Sequence, residues 1–177
     1  MTANKIKTIK ELLELYAAGE RDFTEIQLPD MNLGSINLSG ANLSKANLRG
    51  SNLGRANLRG VNLSKANLWL ANLNSADLSN SNLTEANLRD TTFDYGYLRN
   101  AILERADLRN SFLSEVDLSG ANLEEANLKN ACALGAGFIE ANLKNADLRG
   151  VNMMECVLEG ANFEGANLDG AFYEGDF

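Results

Sequence analysis

The sequence predicts an all-β solenoid, a stack of short strands wound about one axis. Three observations carry that expectation. A large apolar residue, usually Leu, recurs at every fifth position; a small residue usually stands two places before it; and Asn or Asp usually fills the place between. A period of five fits neither the 3.6 of a helix nor the 2 of a simple strand. It suits a strand of two or three residues followed by a turn, repeated. One such unit cannot bury its own leucine, so the units must stack.

The chain opens differently. Residues 2–18 read as a helix, with Ile6, Ile9, Leu12, Leu13 and Tyr16 on one face and Gly19 as the stop. Thr8 and Glu11 have the spacing of a capping box and mark its true start. A stack of parallel strands has two open ends that invite edge pairing. Residues 1–20 are therefore expected to form an N-terminal helical cap, and residues 21–177 the repeat.

The apolar column begins at Phe23 and Leu28 and runs in steps of five through Leu33, Leu38 and Leu43 to Leu88. It continues through Phe93, Leu98, Leu103 to Leu128, Ala133, Phe138, Leu143, Leu148, Met153, Leu158 and Phe163 to Leu168. No insertion breaks the register. At the far end Phe172, Tyr173 and Phe177 are placed to cover the last layer, or to seat a second copy, so a monomer and a C-terminal-end dimer both remain open.

Composition narrows the function. The net charge of −8 argues against general binding to nucleic acid or anionic membranes, which needs basic surface. No apolar run reaches the length of a membrane span. Glu11 and Glu14 interrupt the N-terminal apolar stretch, which argues against a secretory signal, and two cysteines without a framework suit a reducing compartment. A cytoplasmic location is expected. The chain contains no histidine, which removes the commonest general base and metal ligand together.

No catalytic constellation emerges. Glu124 and Glu125 occupy outward turn positions, where solvation is the simpler reading. Cys156 falls in a small inward slot and reads as an inert thiol. Cys132 takes an outward place usually held by Asn, but has no adjacent base. The cysteines lack metal-ligand spacing, and the glycines form no phosphate loop. Neither a cofactor nor a metal is called for, and the chain reads as a non-enzyme.

The tandem A(N/D)LXX pattern, as in "ANLSKANLRGSNLGRANLRG", resembles the pentapeptide repeat family over roughly residues 23–175. The run "IKELLELYAAGERDFTEIQLPDMNL" looks like the cap and first coil of cyanobacterial members. The resemblance implies a right-handed quadrilateral parallel β-helix with four pentapeptides per coil. About seven coils, stacked at about 4.8 Å, would make a rod roughly 35 Å long. Some members of the family are similar to B-form DNA in size and charge and bind DNA gyrase as mimics. That implies an alternative function here.

A count of twenty residues per coil separates four faces. The position two after each centre carries Gly40, Gly60, Asn80, Asn100, Gly120 and Gly160 on one edge, and Lys45, Lys65, Glu85, Arg105 and Glu125 on another. Because Lys, Glu and Arg rarely adopt positive φ, two corner types are expected, with type II-like turns at the Gly/Asn edge. Asn42, Asn62, Asn82, Asn122, Asn142 and Asn162 should stack as an amide ladder.

Function must sit where outward positions vary. A basic column runs through Arg49, Arg89, Arg109, Lys129 and Arg149, with Trp69 in the same series. Glu25, Asp90, Asp107 and Asp147 flank it and could answer its charge. Residues 31–76 hold cations and no acid, whereas residues 150–177 hold acids and no cation, so the rod is an electrical dipole. Finally, Tyr95, Tyr97, Phe112, Cys132, Leu134, Ile139, Met154 and Val157 replace polar residues at outward slots. A contiguous patch of that composition is what protein interfaces use. The reading is a non-enzymatic module that binds a partner protein through outward side chains of the β-helix.

Overall fold

The structure is a computed structural model that describes Ile6 and residues 8–174. Helix α1 spans Ile9–Ala17. Thr8 caps it: the Glu11 backbone N–H donates to Thr8 Oγ1, and the Thr8 N–H donates to the Glu11 carboxylate, both at 3.2 Å. The expected helix thus starts at its capping box; residues 2–5 and 7 of the longer expectation lie outside the described residues. Leu12 is fully buried in the main apolar cluster, with Ile6, Ile9, Leu15 and Tyr16 packed against that cluster. Leu13 is exposed, contrary to expectation. One step of 100° from Leu12 turns it off the stripe that Ile9, Leu12 and Tyr16 define. Gly19 ends the helix at φ 97°. The Tyr16 hydroxyl then donates to the Ser39 carbonyl at 2.9 Å, while the Arg21 guanidinium lies 3.9 Å from the Tyr16 ring.

Beyond Arg21 the chain pairs with itself in parallel at a constant offset of twenty, from Asp22 with Asn42 to Asp147 with Asn167. Two places extend to two-residue strands, β1 (Asn152–Met153) and β2 (Phe172–Tyr173), also parallel and twenty apart. Four faces result. We number them by their centres: the first carries Phe23, Leu43 and onward to Phe163, the second Leu28 to Leu168, the third Leu33 to Met153, and the fourth Leu38 to Leu158. From Phe23 to Met153 every centre is buried, none more than 1% exposed. Ala133 is the one small centre, and Phe138, the next centre along the chain, is large, so the layer keeps its volume. Ser51, Thr91 and Ser111 stand in inward small slots of the third face. Each donates to the carbonyl three residues back at 2.6–2.7 Å, which satisfies a buried hydroxyl.

In the interior coils a pentapeptide typically answers four of its five backbone N–H groups with backbone carbonyls. Around Leu43, for example, Asn42 donates to Arg21, Leu43 to Asn62, Lys45 to Ser64, and Ala46 to Leu43 across the turn. The fifth, on the residue after the centre, goes to the side chain: Ser44 N–H donates to Asn42 Oδ1 at 3.1 Å. This Asx bond explains why Asn or Asp precedes the leucine. Pro29 follows the same logic, because Gln27 precedes it and proline has no N–H to satisfy.

The expectation of two corner types fails. Lys45, Lys65, Glu85, Arg105 and Glu125 have φ of 55–59°, in the same left-handed region as Gly40 at 68° and Asn80 at 60°. The coil fixes each corner through two hydrogen bonds, the ladder bond of the corner N–H and the turn bond that follows it. A left-handed non-glycine residue costs about 1–2 kcal/mol, and the paired ladder holds it there. One turn geometry, with positive φ at its third residue, therefore serves all four edges.

The amide ladder forms in segments. Asn62 donates to Asn42, Asn142 to Asn122 and Asn162 to Asn142 at 3.0–3.3 Å. Ile102 interrupts the column between Asn82 and Asn122.

Candidate protein-interaction surface

The third and fourth faces are where outward chemistry changes. On the third, the place before the centre runs Thr92, Phe112, Cys132, Asn152 in unbroken parallel register, so Phe112 and Cys132 are direct neighbours without a bulge. Phe112 is 51% exposed. After the centre, Leu134 and Met154 are adjacent, since Gly135 N–H donates to the Met154 carbonyl at 2.9 Å. On the fourth face Tyr97, Asp117, Gly137 and Val157 succeed one another, with Tyr97 47% and Val157 49% exposed. Ile139 is exposed on the same face, and Tyr95, 65% exposed, stands at the corner between the two. Cys132 and Met154 are half-buried.

These substitutions have a local cost. Where Phe112, Cys132, Tyr97, Gly137 or Val157 replaces Asn or Asp, the side chain can no longer accept the N–H two residues on. At Ser114 a replacement exists, because its N–H donates instead to Asp94 Oδ1 at 3.1 Å. A hydrogen bond of this kind contributes about 0.5–1.5 kcal/mol.

The basic column is largely answered from within the chain. Arg109 grips Asp107 through two bonds of 2.8 and 2.6 Å, and Arg149 grips Asp147 in the same way. At Asp107 burial pushes the carboxyl upward, but the bonds and charge of Arg109 outweigh it and hold the group below its ordinary value. At Asp147 the Arg149 bond dominates in the same direction. Arg49 lies over the Trp69 ring at 4.8 Å, and Trp69 Nε1 donates to Asp90 at 2.9 Å. Arg89 and Lys129, both half-buried, make no ion pair among the described residues. Glu25 does not flank this column. It sits on the first face's edge, where Lys45 reaches it at 3.1 Å. That edge continues as a ladder from Lys65 to Glu85, Arg105 and Glu125.

Of the groups weighed for chemistry, Glu124 accepts from Asn142 at 3.3 Å and Glu125 lies 4.0 Å from Arg105. Cys156 donates to the Ala133 carbonyl at 2.9 Å, and burial pushes its thiol up to about 11. Among the described residues no cluster of His, Cys, Asp and Glu could hold a metal ion, and no helix is long and apolar enough to cross a membrane. A shallow polar hollow of about 310 Å³ lies between Arg59 and Arg99 beside Tyr97. Arg59 is paired with Asp77 at 2.9 Å and Arg99 with Asp117.

Sequence reading missed two exposed apolar residues, Leu70 and Ile102. Ile102 was detectable as the break in the Asn column; Leu70 stands where Gly or Asn was the more natural corner.

Parallel strands at a fixed offset of twenty, closed on a single apolar core, define a solenoid of pentapeptides. Pentapeptide repeat models match residues 36–73, 71–110, 101–136 and 136–172, in eight copies, and the chain belongs to the pentapeptide repeat family. Members fold as right-handed quadrilateral β-helices, and the twenty-residue pairing described above agrees. Among solved structures it is similar to HetL, a pentapeptide repeat protein involved in heterocyst differentiation regulation from the cyanobacterium Nostoc sp. strain PCC 7120. That likeness has 30% identity over 94% of this chain and 97% of HetL, with a TM-score of 0.38. Rfr23 from the cyanobacterium Cyanothece 51142 is 25% identical over 94% of this chain and 100% of its own, with a TM-score of 0.29. QnrB1, a plasmid-mediated fluoroquinolone resistance protein, is 17% identical over 85% of each chain, with a TM-score of 0.43. No curated protein matches the chain.

Proposed function

We propose that this chain is a non-enzymatic module that docks a partner protein on the apolar patch centred on Phe112, Cys132, Leu134 and Met154 of the third face. In this reading about seven coils of residues 21–177 form the rod, residues 1–20 with α1 close its first coil, and the protein works in the cytoplasm. Tyr95, Tyr97, Ile139 and Val157 extend the patch round the corner, and the cations Arg49, Arg89, Arg109, Lys129 and Arg149 supply a polar flank on another face.

The observation that carries the reading is the exposure of Phe112, 51% open to solvent, in direct register with Cys132, where a second Asn or Asp of the column is missing. Asn at either place would close its own turn, as Asn72 and Asn52 do two and three coils before Phe112 on that face. An exposed Phe in that column leaves apolar surface in water, and a contact with another protein accounts for it. The test is affinity capture from a cell lysate with the native protein and with the Phe112→Ser, Leu134→Ser, Met154→Ser variant. A partner retained by the first and lost by the folded variant supports the reading. Identical captures overturn it.

A DNA-mimicking gyrase binder is the second reading, favoured by the net charge of −8. Lys45, Arg49, Arg55, Arg59 and Lys65 stand against it, because they make residues 31–76 basic on every face. Unchanged gyrase supercoiling at micromolar protein would end it.

A further inference from the structure

We propose that the fourth face pairs with the same face of a second copy of this chain, turned end for end. The proposal goes beyond the partner reading, which centres on the third face and reaches the fourth only through Tyr97, Ile139 and Val157, and does not rest on it.

Four successive coils of the fourth face present Tyr97, Asp117, Gly137 and Val157 before their centres. After the centres they present Arg99, Ser119, Ile139 and Glu159. The parallel pairings Tyr97–Asp117, Asp117–Gly137 and Gly137–Val157 fix their order. A second copy can be laid on this face about a two-fold axis running along the strands, midway between the Asp117 and Gly137 coils. Such an axis keeps position along the strand and reverses the order of coils. Tyr97 then meets Val157 of the second copy, Asp117 meets Gly137, Arg99 meets Glu159, and Ser119 meets Ile139. Symmetry makes each contact twice.

The pattern is complementary in both size and charge. Each pair sets a larger side chain against a smaller one, or a cation against an anion. Gly137 leaves room for the Asp117 carboxylate, since a Cβ built there meets nothing nearer than Ser119 Oγ at 4.0 Å. Arg99 bonds Asp117 through Nε, which leaves its terminal nitrogens for the second copy. Glu159 is exposed and makes no ion pair among the described residues. Within one copy Arg99 and Glu159 stand three coils apart, about 14 Å at strand spacing, too far to answer each other. A parallel arrangement, with the axis along the rod, would set Val157 against Glu159 and lose both matches.

Four coils make a contact only about 19 Å tall, well short of the roughly 800 Å² per partner of a stable complex. The pair is weak, with a dissociation constant on the order of 100 μM.

Sedimentation equilibrium from about 10 μM to about 1 mM tests this. The native chain should shift from monomer to dimer across that range. Glu159→Arg and Arg99→Glu should each weaken association at least about tenfold, because each sets like charges together in both symmetric contacts. The Arg99→Glu, Glu159→Arg double variant should return to within about threefold of native. The third-face triple variant should associate as the native chain does, so failure here and failure of partner binding are separable. A chain that stays monomeric at the highest concentration overturns the proposal. So do single variants that associate unchanged, which would move the contact to another surface such as the C-terminal end. A double variant of native fold and stability that stays dissociated would overturn it as well.

Discussion

Asn62 faces two ways at once: its Nδ2 donates to Asn42 Oδ1 at 3.1 Å in the preceding coil, while its own Oδ1 accepts the Ser64 N–H at 3.0 Å. One side chain thereby closes its turn and ties its coil to the one before. Asn62→Ala removes both bonds and leaves a half-buried N–H unanswered, so it should destabilise by about 1–3 kcal/mol. Asn62→Asp keeps the acceptor for Ser64 and loses the donor, and should cost less than the alanine change. Urea unfolding of the two variants measures the split. Equal losses would show that the turn bond to Ser64 contributes nothing, and an unchanged Asn62→Asp variant that the bond between coils contributes nothing.

The uniform left-handed corners make a second prediction. Gly40 has φ 68° with open space where a Cβ would go, so Gly40→Ala isolates the backbone cost. It should destabilise by about 1 kcal/mol. Gly50→Ala should cost more, because its Cβ would fall 2.2 Å from Asp30 Oδ1. Arg55 has φ 59° and no ion pair among the described residues, so Arg55→Gly should be neutral or stabilising by up to about 1 kcal/mol. Denaturant midpoints should rise from Gly50→Ala through Gly40→Ala to Arg55→Gly.

Much of this was legible because the repeat carries its own register. The column from Phe23 to Met153 could be read as core from a count of five, and the face of each side chain from a count of twenty. The corners were not legible, because propensity at Lys45 or Glu85 opposes what ladder pairing imposes there. Glu25 was expected to answer the basic column, but it stands at the far edge of that face. Lys45, twenty residues away, is its actual neighbour. The answered charges at Arg109 and Arg149 were half-visible, since Asp107 and Asp147 precede them by two in the sequence, but the grip itself needs side-chain geometry.

The two cysteines should react at different rates. Cys132 faces outward beside Ser114, whereas Cys156 turns inward, donates to the Ala133 carbonyl, and has its thiol pushed up to about 11 by burial. The thiolate is the reactive species. At pH 8 a thiol alkylating reagent should therefore label the Cys132 peptide first, with Cys156 following only as denaturant is added. Mass spectrometry of the peptides against time reads this directly, and equal labelling in the native state would contradict the inward placement of Cys156.

The stability of the rod should be flat around neutral pH and fall on either side. With no histidine in the chain, no side chain of ordinary pKa titrates near pH 6.5. Asp77, Asp107, Asp117 and Asp147 are all held below the carboxylate value of 3.8. Burial acts the other way at the first three and is outweighed by hydrogen bonds to Ser79, Arg109 and Ser119 and by the neighbouring guanidinium groups. At Asp147 the Arg149 bond is the largest influence. A folded value below the unfolded one means the stabilisation is present above pH 3.8 and is lost as pH falls through the folded values. Asp107→Asn with Asp147→Asn should lower stability at pH 7 and make the acid limb shallower. On the alkaline side Cys156 is raised from 9.0 to about 11, so its contribution is complete below pH 9 and lost as pH climbs through about 11. Cys156→Ala should remove that share of the alkaline loss. Urea midpoints taken from about pH 2 to about pH 11 span both limbs, and an acid limb unchanged by the double substitution would separate the Arg–Asp grips from acid stability.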